Sequence, residues 1–304
     1  MNNHGKGISL PQPEVFDMTI IGAGPTGLFG AFYAGLREMK VKVIDILPQP
    51  GGQLTALYPE KMIFDTPGFP SIRAKDLVQN LEKQALQYQP RMCLEERAED
   101  LRREPLPGGE PGETCWVVKT DRDVHYSHTT ILAAGIGAFH PIKLLNNAAD
   151  AFEHKVVEYM VKDLEYYRDK RVLIVRGGDS AVDWALALEP IAEKATLIHR
   201  REGFRAHDSS VNALHASNVD VRIYYELRRL EGEEHIQRAV IFDNRSNEDE
   251  LIDVDAVILS LGYRADLGPI REWGLETNGR RYIKVDNKME TNLPGVFASG
   301  DVAL

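Results

Sequence analysis

Gly22, Gly24 and Gly27 stand in a G-x-G-x-x-G spacing directly after the apolar run "MTII", and Asp45 follows at the end of the next apolar run, "KVKVID". Glycine at the first position permits a tight turn. At the second it lets the backbone approach a pyrophosphate, and at the third it lets a helix pack closely on a sheet. A helix starting there presents free N–H groups and a positive dipole end to phosphates. The acid at the end of the second run takes ribose hydroxyls. Further on, "KRVLIVRGGDSAVDWALALE" repeats the order through Gly177, Gly178, Asp179 and Ser180, but its second apolar run ends in His199, Arg200 and Arg201, with Arg205 in the next turn. Guanidinium groups offer forked, permanently charged donors, which suit a 2'-phosphate where a carboxylate suits a free 2'-hydroxyl. The second site therefore reads as one for NADP(H) rather than NAD(H).

Such residues need a strand, a turn, a helix and a second strand to hold them. Phe16 to Ile46 and Lys170 to Arg201 each carry that βαβ order: a β-branched apolar run, a glycine turn, a helical segment rich in small residues and another apolar run. Two such units predict an α/β chain with two doubly wound, Rossmann-like domains. Between them, "LRREPLPGGEPGETCW" reads as a hairpin or loop, and "VVKTDRDVHYSHTTILAAG" as strands returning to a sheet. Arg176 stands where the first glycine of the second turn is expected. A negative φ there would suit an arginine, whose side chain then either reaches a phosphate or lies across the groove. Weakened or altered NADPH binding, short of abolition, is the expectation.

With 304 residues, 43% hydrophobic and 27% charged, the chain can bury a sizeable core in about two domains. A formal net charge of -10 argues against a nucleic-acid or anionic-membrane binder. No apolar stretch is long enough to cross a bilayer, and the first residues have no apolar core to act as a signal, so a cytoplasmic protein is expected. Cys93 and Cys115 have neither C-x-x-C nor metal-type spacing, which predicts no disulfide framework and no cysteine-based metal site.

"GGQLTALYPEK", "AGIGAFHPIKL", "GGDSAVDWAL", "IHRREGFRAHDSSVNALHAS" and "METNLPGVFASGD" together resemble the two-dinucleotide flavoprotein family that includes thioredoxin reductase. Within it they resemble the ferredoxin-NADP reductases of the thioredoxin-reductase type, over nearly the whole chain. The resemblance implies an FAD-binding domain over residues 1–138 and 265–304, with an NADP-binding domain inserted at 139–264. It implies that Gly22, Gly24, Thr26 and Gly27 hold the FAD pyrophosphate and Asp45 its adenosine ribose. Gln53, Asp65 and Tyr58 would lie by the flavin, with Tyr58 stacked on it; Ala98 would offer backbone to the adenine, and Phe139 and Asp301 would line the flavin and its ribityl arm. Hinges near Phe139–Pro141 and Gly262–Ala265 would let the domains swing, and His140, His199 and His207 would be loop, phosphate-contact and surface residues.

The resemblance further implies hydride transfer between NADP(H) and FAD, with single electrons passing to ferredoxin or flavodoxin, in a homodimer. The region that carries a C-x-x-C in thioredoxin reductases, "HKVVEYMVKDLEYYRDKRV", has no cysteine here, so electrons are expected to leave for an external acceptor. The sequence given stops at Leu304, where the family continues into a loop and a helix beside the flavin, so the expectation is either a truncated or divergent member or one that holds FAD loosely with one face open. Two alternatives stand beside this reading: a nucleotide-binding member with impaired activity, and a reductase for a disulfide-bearing redoxin.

Overall fold

Unbroken apolar runs bounded by glycine turns suit parallel strands covered on both faces, and such runs form the centre of two sheets here. The computed structural model describes residues 13–144, 152, 157–233, 235–279 and 282–303. The chain divides into two units, one of Met1–Thr55, Asp76–Ala138 and Ala265–Leu304, the other of Ala56–Lys75 and Phe139–Arg264.

In the first unit the strands Arg91–Cys93, Val41–Ile44, Val15–Ile21 and Val124–Leu132 lie side by side in parallel. Along its far edge, Val124–Leu132 pairs antiparallel with Thr114–Thr120 and, further on, parallel with Val296–Ala298. Thr114–Thr120 in turn pairs antiparallel with the edge strand Ala98–Pro105. The helix Pro25–Leu36 follows the first strand and buries Gly27, Leu28, Ala31, Ala34 and Gly35. These small residues let it lie close over Ile20, Val41 and Val43. The opposite face is covered by Trp116, Leu267, Ile270 and Trp273.

One polar network runs beneath this sheet. The Lys42 ammonium lies 4.2 Å from the centre of the Phe16 ring and 2.9 Å from His125 Nδ1. His125 Nε2 lies 2.5 Å from Glu96 Oε1, and the Thr120 hydroxyl donates to the same oxygen at 2.6 Å. Lys42, Glu96 and His125 are all buried. An ammonium at one end and a carboxylate at the other neutralise each other through the imidazole, so no uncompensated charge is buried. Burial holds the Lys42 amine below its ordinary value. Cys93, Glu96 and His125 bring ligand-type atoms within 4.8 Å of one another. Both His125 nitrogens and Glu96 Oε1 are engaged within the network.

The second unit holds a five-stranded parallel sheet in the order Val157–Glu158, Ala256–Leu259, Arg171–Val175, Lys194–His199, Asp220–Ile223. Its side chains divide with period two. Val172, Ile174, Leu197 and Ile258 meet the helix Asp179–Leu188 through Ala181, Trp184 and Leu188. Leu173, Val175, Ile198 and Val257 face the other way, onto Leu227, Leu230, Ala239 and Ile241. These belong to an antiparallel sheet of Tyr225–Gly232, Ile236–Asp243 and Asp249–Asp253. A doubly wound unit would cover that face with helices. Here three short strands do so, because two alternating apolar faces interlock as well as a helix stripe does. Among the described residues no helix is long and apolar enough to cross a membrane.

Removing the carboxylate from the buried network tests its role. Glu96→Ala leaves Lys42 and His125 without their counter-charge and is expected to cost about 3–5 kcal/mol. Thermal unfolding followed by circular dichroism measures this, and Glu96→Gln, which keeps the hydrogen bonds, is expected to lose less.

Candidate functional site

In the first unit the strand Val15–Ile21 ends in a turn at Gly22, whose φ is 110°. A Cβ there would run into the Ala133 carbonyl, and one on Gly27 would collide with the Gly22 carbonyl oxygen, so both positions require glycine. The Gly22 N–H donates to Ile44 O at 2.8 Å, tying the turn to the neighbouring strand. Gly24 begins the helix with no side-chain cap and no acid in the first turn, and Pro25 presets the helical φ. An uncapped helix start at the carboxyl end of a parallel sheet fits a pyrophosphate. Gly52 closes over it, since a Cβ on Gly52 would stand 3.1 Å from the Gly24 Cα.

Asp45 Oδ2 accepts the Ala23 N–H at 2.6 Å and Oδ1 accepts the Leu47 N–H at 2.8 Å. Burial pushes this carboxyl above its usual range, and the two N–H bonds oppose that. The acid expected to take ribose hydroxyls thus also pins the turn, with lone pairs left for a ligand. Glu96 N–H donates to Asp45 O, bringing the segment before Ala98 beside the same carboxylate residue. Gln53 Nε2 donates to Asp301 Oδ2 at 3.0 Å, and a Cβ on Gly300 would press on Thr26 Oγ1. Gly22, Gly24, Thr26, Gly27, Asp45, Gln53 and Asp301 are therefore brought together in one cradle. Gly51, Gly52, Gly135 and Gly300 belong to it as well; the runs "PGG" and "ASGD" carried the signal.

Three of the residues expected near this cradle fall, by their contacts, in the second unit. Tyr58 and Asp65 lie on the segment Ala56–Lys75, which clusters with the second unit. Lys61 anchors that segment by a 2.7 Å ion pair to Asp183, and the Tyr58 ring packs on the apolar cluster around Trp184. Tyr58 accordingly lines the cavity of the second unit, and Asp65 is exposed. Phe139 is on the strand Ala138–Pro141, but its side chain, like that of His140, lies outside the described residues.

The second cradle repeats two backbone bonds of the first. Arg176 N–H donates to Ile198 O at 2.9 Å, as Gly22 does to Ile44, and Val182 N–H donates to Gly178 O, as Leu28 does to Gly24. Gly178 begins its helix with no side-chain cap, and a Cβ on it would meet nothing within 4 Å. Ala181 is fully buried at the position of Gly27. Arg176 takes a φ of 103°, so the negative φ expected of an arginine is not adopted. The strand-to-helix geometry dictates the dihedral whatever residue occupies it, at about 1–3 kcal/mol of strain.

His199 replaces Asp45 in the repeat and is 6% exposed. It stacks on Phe204 at 5.2 Å, and its Nε2 bonds Gly203 O at 3.2 Å, while Nδ1 has no partner among the described residues. The loop after it folds back through Arg205 N–H, which donates to Gly177 O at 2.7 Å. Asp179 braces that loop by accepting the His207 N–H at 3.0 Å. A cavity of about 320 Å³ results, lined by Arg176, Gly178, Ser180, Arg200, Arg201 and Arg205 among others. Tyr159, Met160 and Ser260–Tyr263 complete it at the end of the strand Ala256–Leu259. The carboxyl ends of parallel strands are where ligands bind in such sheets, and that rule could have marked Ser260 from sequence.

Cys93 and Cys115 are free thiols, and burial pushes both above the usual thiol value. Neither is activated as a nucleophile.

His199 carries a pH dependence. Burial, with Arg200, Arg176 and Arg201 nearby, holds its imidazole below the ordinary value against the Gly203 bond. The unfolded chain therefore takes this proton first, and stability falls as pH drops through the ordinary imidazole range near 6.5. Unfolding midpoints at pH 7.5 and 5.5 measure it, and His199→Gln is expected to narrow the difference.

Residues 16–304 match the family model described as pyridine nucleotide-disulphide oxidoreductase. A protein of Symbiobacterium thermophilum named ferredoxin–NADP reductase is 52% identical over 292 residues, 95% of this chain and 85% of its own length. One of Shouchella clausii, named ferredoxin–NADP reductase 2, is 49% identical over 293 residues, 96% of this chain and 86% of its own. Among solved structures, the thioredoxin reductase of T. acidophilum superposes with a TM-score of 0.80 at 23% identity, over 95% of this chain and 91% of its own, a likeness of fold. Two glycine cradles at the carboxyl ends of parallel sheets, a matching family model over nearly the whole sequence and relatives at half identity agree: the chain belongs to the pyridine nucleotide-disulphide oxidoreductase family.

Proposed function

We propose that the chain is an FAD-dependent oxidoreductase that moves electrons between NADP(H) and ferredoxin, as the names of its relatives indicate for those proteins. The observation that carries this reading is the repeated cradle with unlike strand ends, Asp45 in one and His199, Arg200 and Arg201 in the other. The first suits a nucleotide with free ribose hydroxyls, the second one with a 2'-phosphate. FAD belongs to the unit with Gly22, Gly24, Thr26, Gly27, Asp45, Gln53 and Asp301, with Ala98 near its adenine. NADP(H) belongs to the unit with Gly177, Gly178, Asp179, Ser180, His199, Arg200, Arg201 and Arg205. In domain terms this assigns FAD to residues 1–138 and 265–304 and NADP(H) to 139–264, with Ala56–Lys75 attached to the latter unit by its contacts.

FAD, when bound, supplies both two-electron and one-electron chemistry. The chain's own residues bind and orient: the helix beginning at Gly24 faces a pyrophosphate, Gln53 and Asp301 hold each other at the cradle's mouth, and the arginines fix the phosphorylated ribose. Neither free thiol has an activated partner, which favours an external iron-sulfur or flavin protein as acceptor over a disulfide. Ferredoxin or flavodoxin fits that requirement, in a cytoplasmic homodimer.

The visible spectrum of the protein with FAD, before and after anaerobic NADPH, tests the reading. Flavin bleaching followed by reduction of added ferredoxin is expected. No bleaching at millimolar NADPH would overturn it in favour of a nucleotide binder without turnover, and transfer to a dithiol protein in preference to ferredoxin would favour a redoxin reductase.

A further inference from the structure

Arg176 holds a dihedral that glycine adopts freely and arginine resists, with φ at 103° against 110° at the equivalent Gly22. Strain of this kind persists where the surroundings enforce it, and an observed outlier of this kind motivates a search for function. The surroundings here are the second cradle. Arg176 lines the same cavity as Arg200, Arg201 and Arg205. Its guanidinium is held below its ordinary value by burial and by repulsion from Arg200 and Arg201, against attraction from Glu226. Positive groups gathered in one cleft are relieved by a multiply charged anion more than by a single carboxylate. Arg200 and Arg201 follow His199, the residue equivalent to Asp45, so this cluster stands at the ribose end of the cradle.

We propose that Arg176 is a specificity-determining residue whose guanidinium joins Arg200 and Arg201 on the 2'-phosphate of the nucleotide, adding a contact that a glycine at this turn cannot make. The inference rests on the assignment of NADP(H) to this unit. It also reverses the sign of the sequence-based expectation, since the arginine strengthens selection of the phosphorylated nucleotide.

Arg176→Gly tests it, and the variant is expected to fold because the turn's φ favours glycine. Calorimetric titration of NADP+ and NAD+ against the wild type, Arg176→Gly and Arg176→Lys supplies the readout, at two or more salt concentrations. Arg176→Gly is expected to weaken NADP+ about tenfold, with a shallower salt dependence, while changing NAD+ by less than about twofold. Without nucleotide its thermal midpoint is expected to rise as the strain is released. Arg176→Lys is expected to fall between the two, keeping the charge but losing the fork. Equal loss for NAD+ and NADP+ would overturn the proposal by moving the contact to the pyrophosphate. Unchanged or tighter NADP+ binding by Arg176→Gly would overturn it by making the arginine neutral or obstructive. Failure of the wild type to bind NADP+ at all would overturn the nucleotide assignment and this proposal together, whereas loss of the contrast among variants overturns the proposal alone.

Discussion

Both cradles depend on one contact, the N–H of the residue after the central strand donating to a carbonyl at the end of the strand beside it. Gly22 bonds Ile44 in this way and Arg176 bonds Ile198. The bond turns the chain sharply at a φ above 100° and aims the following helix so that its first amides face the carboxyl edge of the sheet. An uncapped helix start would be a defect elsewhere. Here it is the feature that makes an anion site, and the same backbone makes it twice.

Beyond the exchange of Gly22 for Arg176, the copies differ in the side chain at the end of the second strand. Asp45 spends both carboxylate oxygens on backbone N–H groups, one of Ala23 in the glycine turn and one of Leu47, which fixes the acid in place. His199 cannot make those bonds as an acceptor pair; it stacks on Phe204 and leaves the turn to be closed by Arg205 from the following loop. A carboxylate-pinned turn and a loop-covered turn stand at the two strand ends. The electrostatics differ as well: Asp45 stands at the first cradle, whereas Arg176, Arg200, Arg201 and Arg205 line the second.

Outside the cradles, the Lys42, His125 and Glu96 chain shows how an acidic protein places charge within its core. Each member comes from a different stretch, and the Phe16 ring lies against the ammonium. Net neutrality along the chain is what makes it tolerable. The thiol of Cys93 sits in the same neighbourhood with its value raised by burial, so it adds packing and no reactivity.

Much of the architecture was legible in sequence because it rests on local rules. Period-two and 3.6-residue patterning gave two βαβ units, glycine spacing located both turns, and the types at positions 45 and 199–201 set the two strand ends apart. Other features are made by contacts between segments far apart in the chain. Patterning does not reveal that Gln53 meets Asp301, that the second face of the later sheet is covered by strands, or that Tyr58 follows the Lys61–Asp183 ion pair into the second unit. Arg176 marks the division most plainly. Sequence alone determined that an arginine stands at the turn, with the dihedral it prefers by itself. Tertiary structure decided the dihedral it takes, because the strand beside it and the helix after it leave a single path for the backbone.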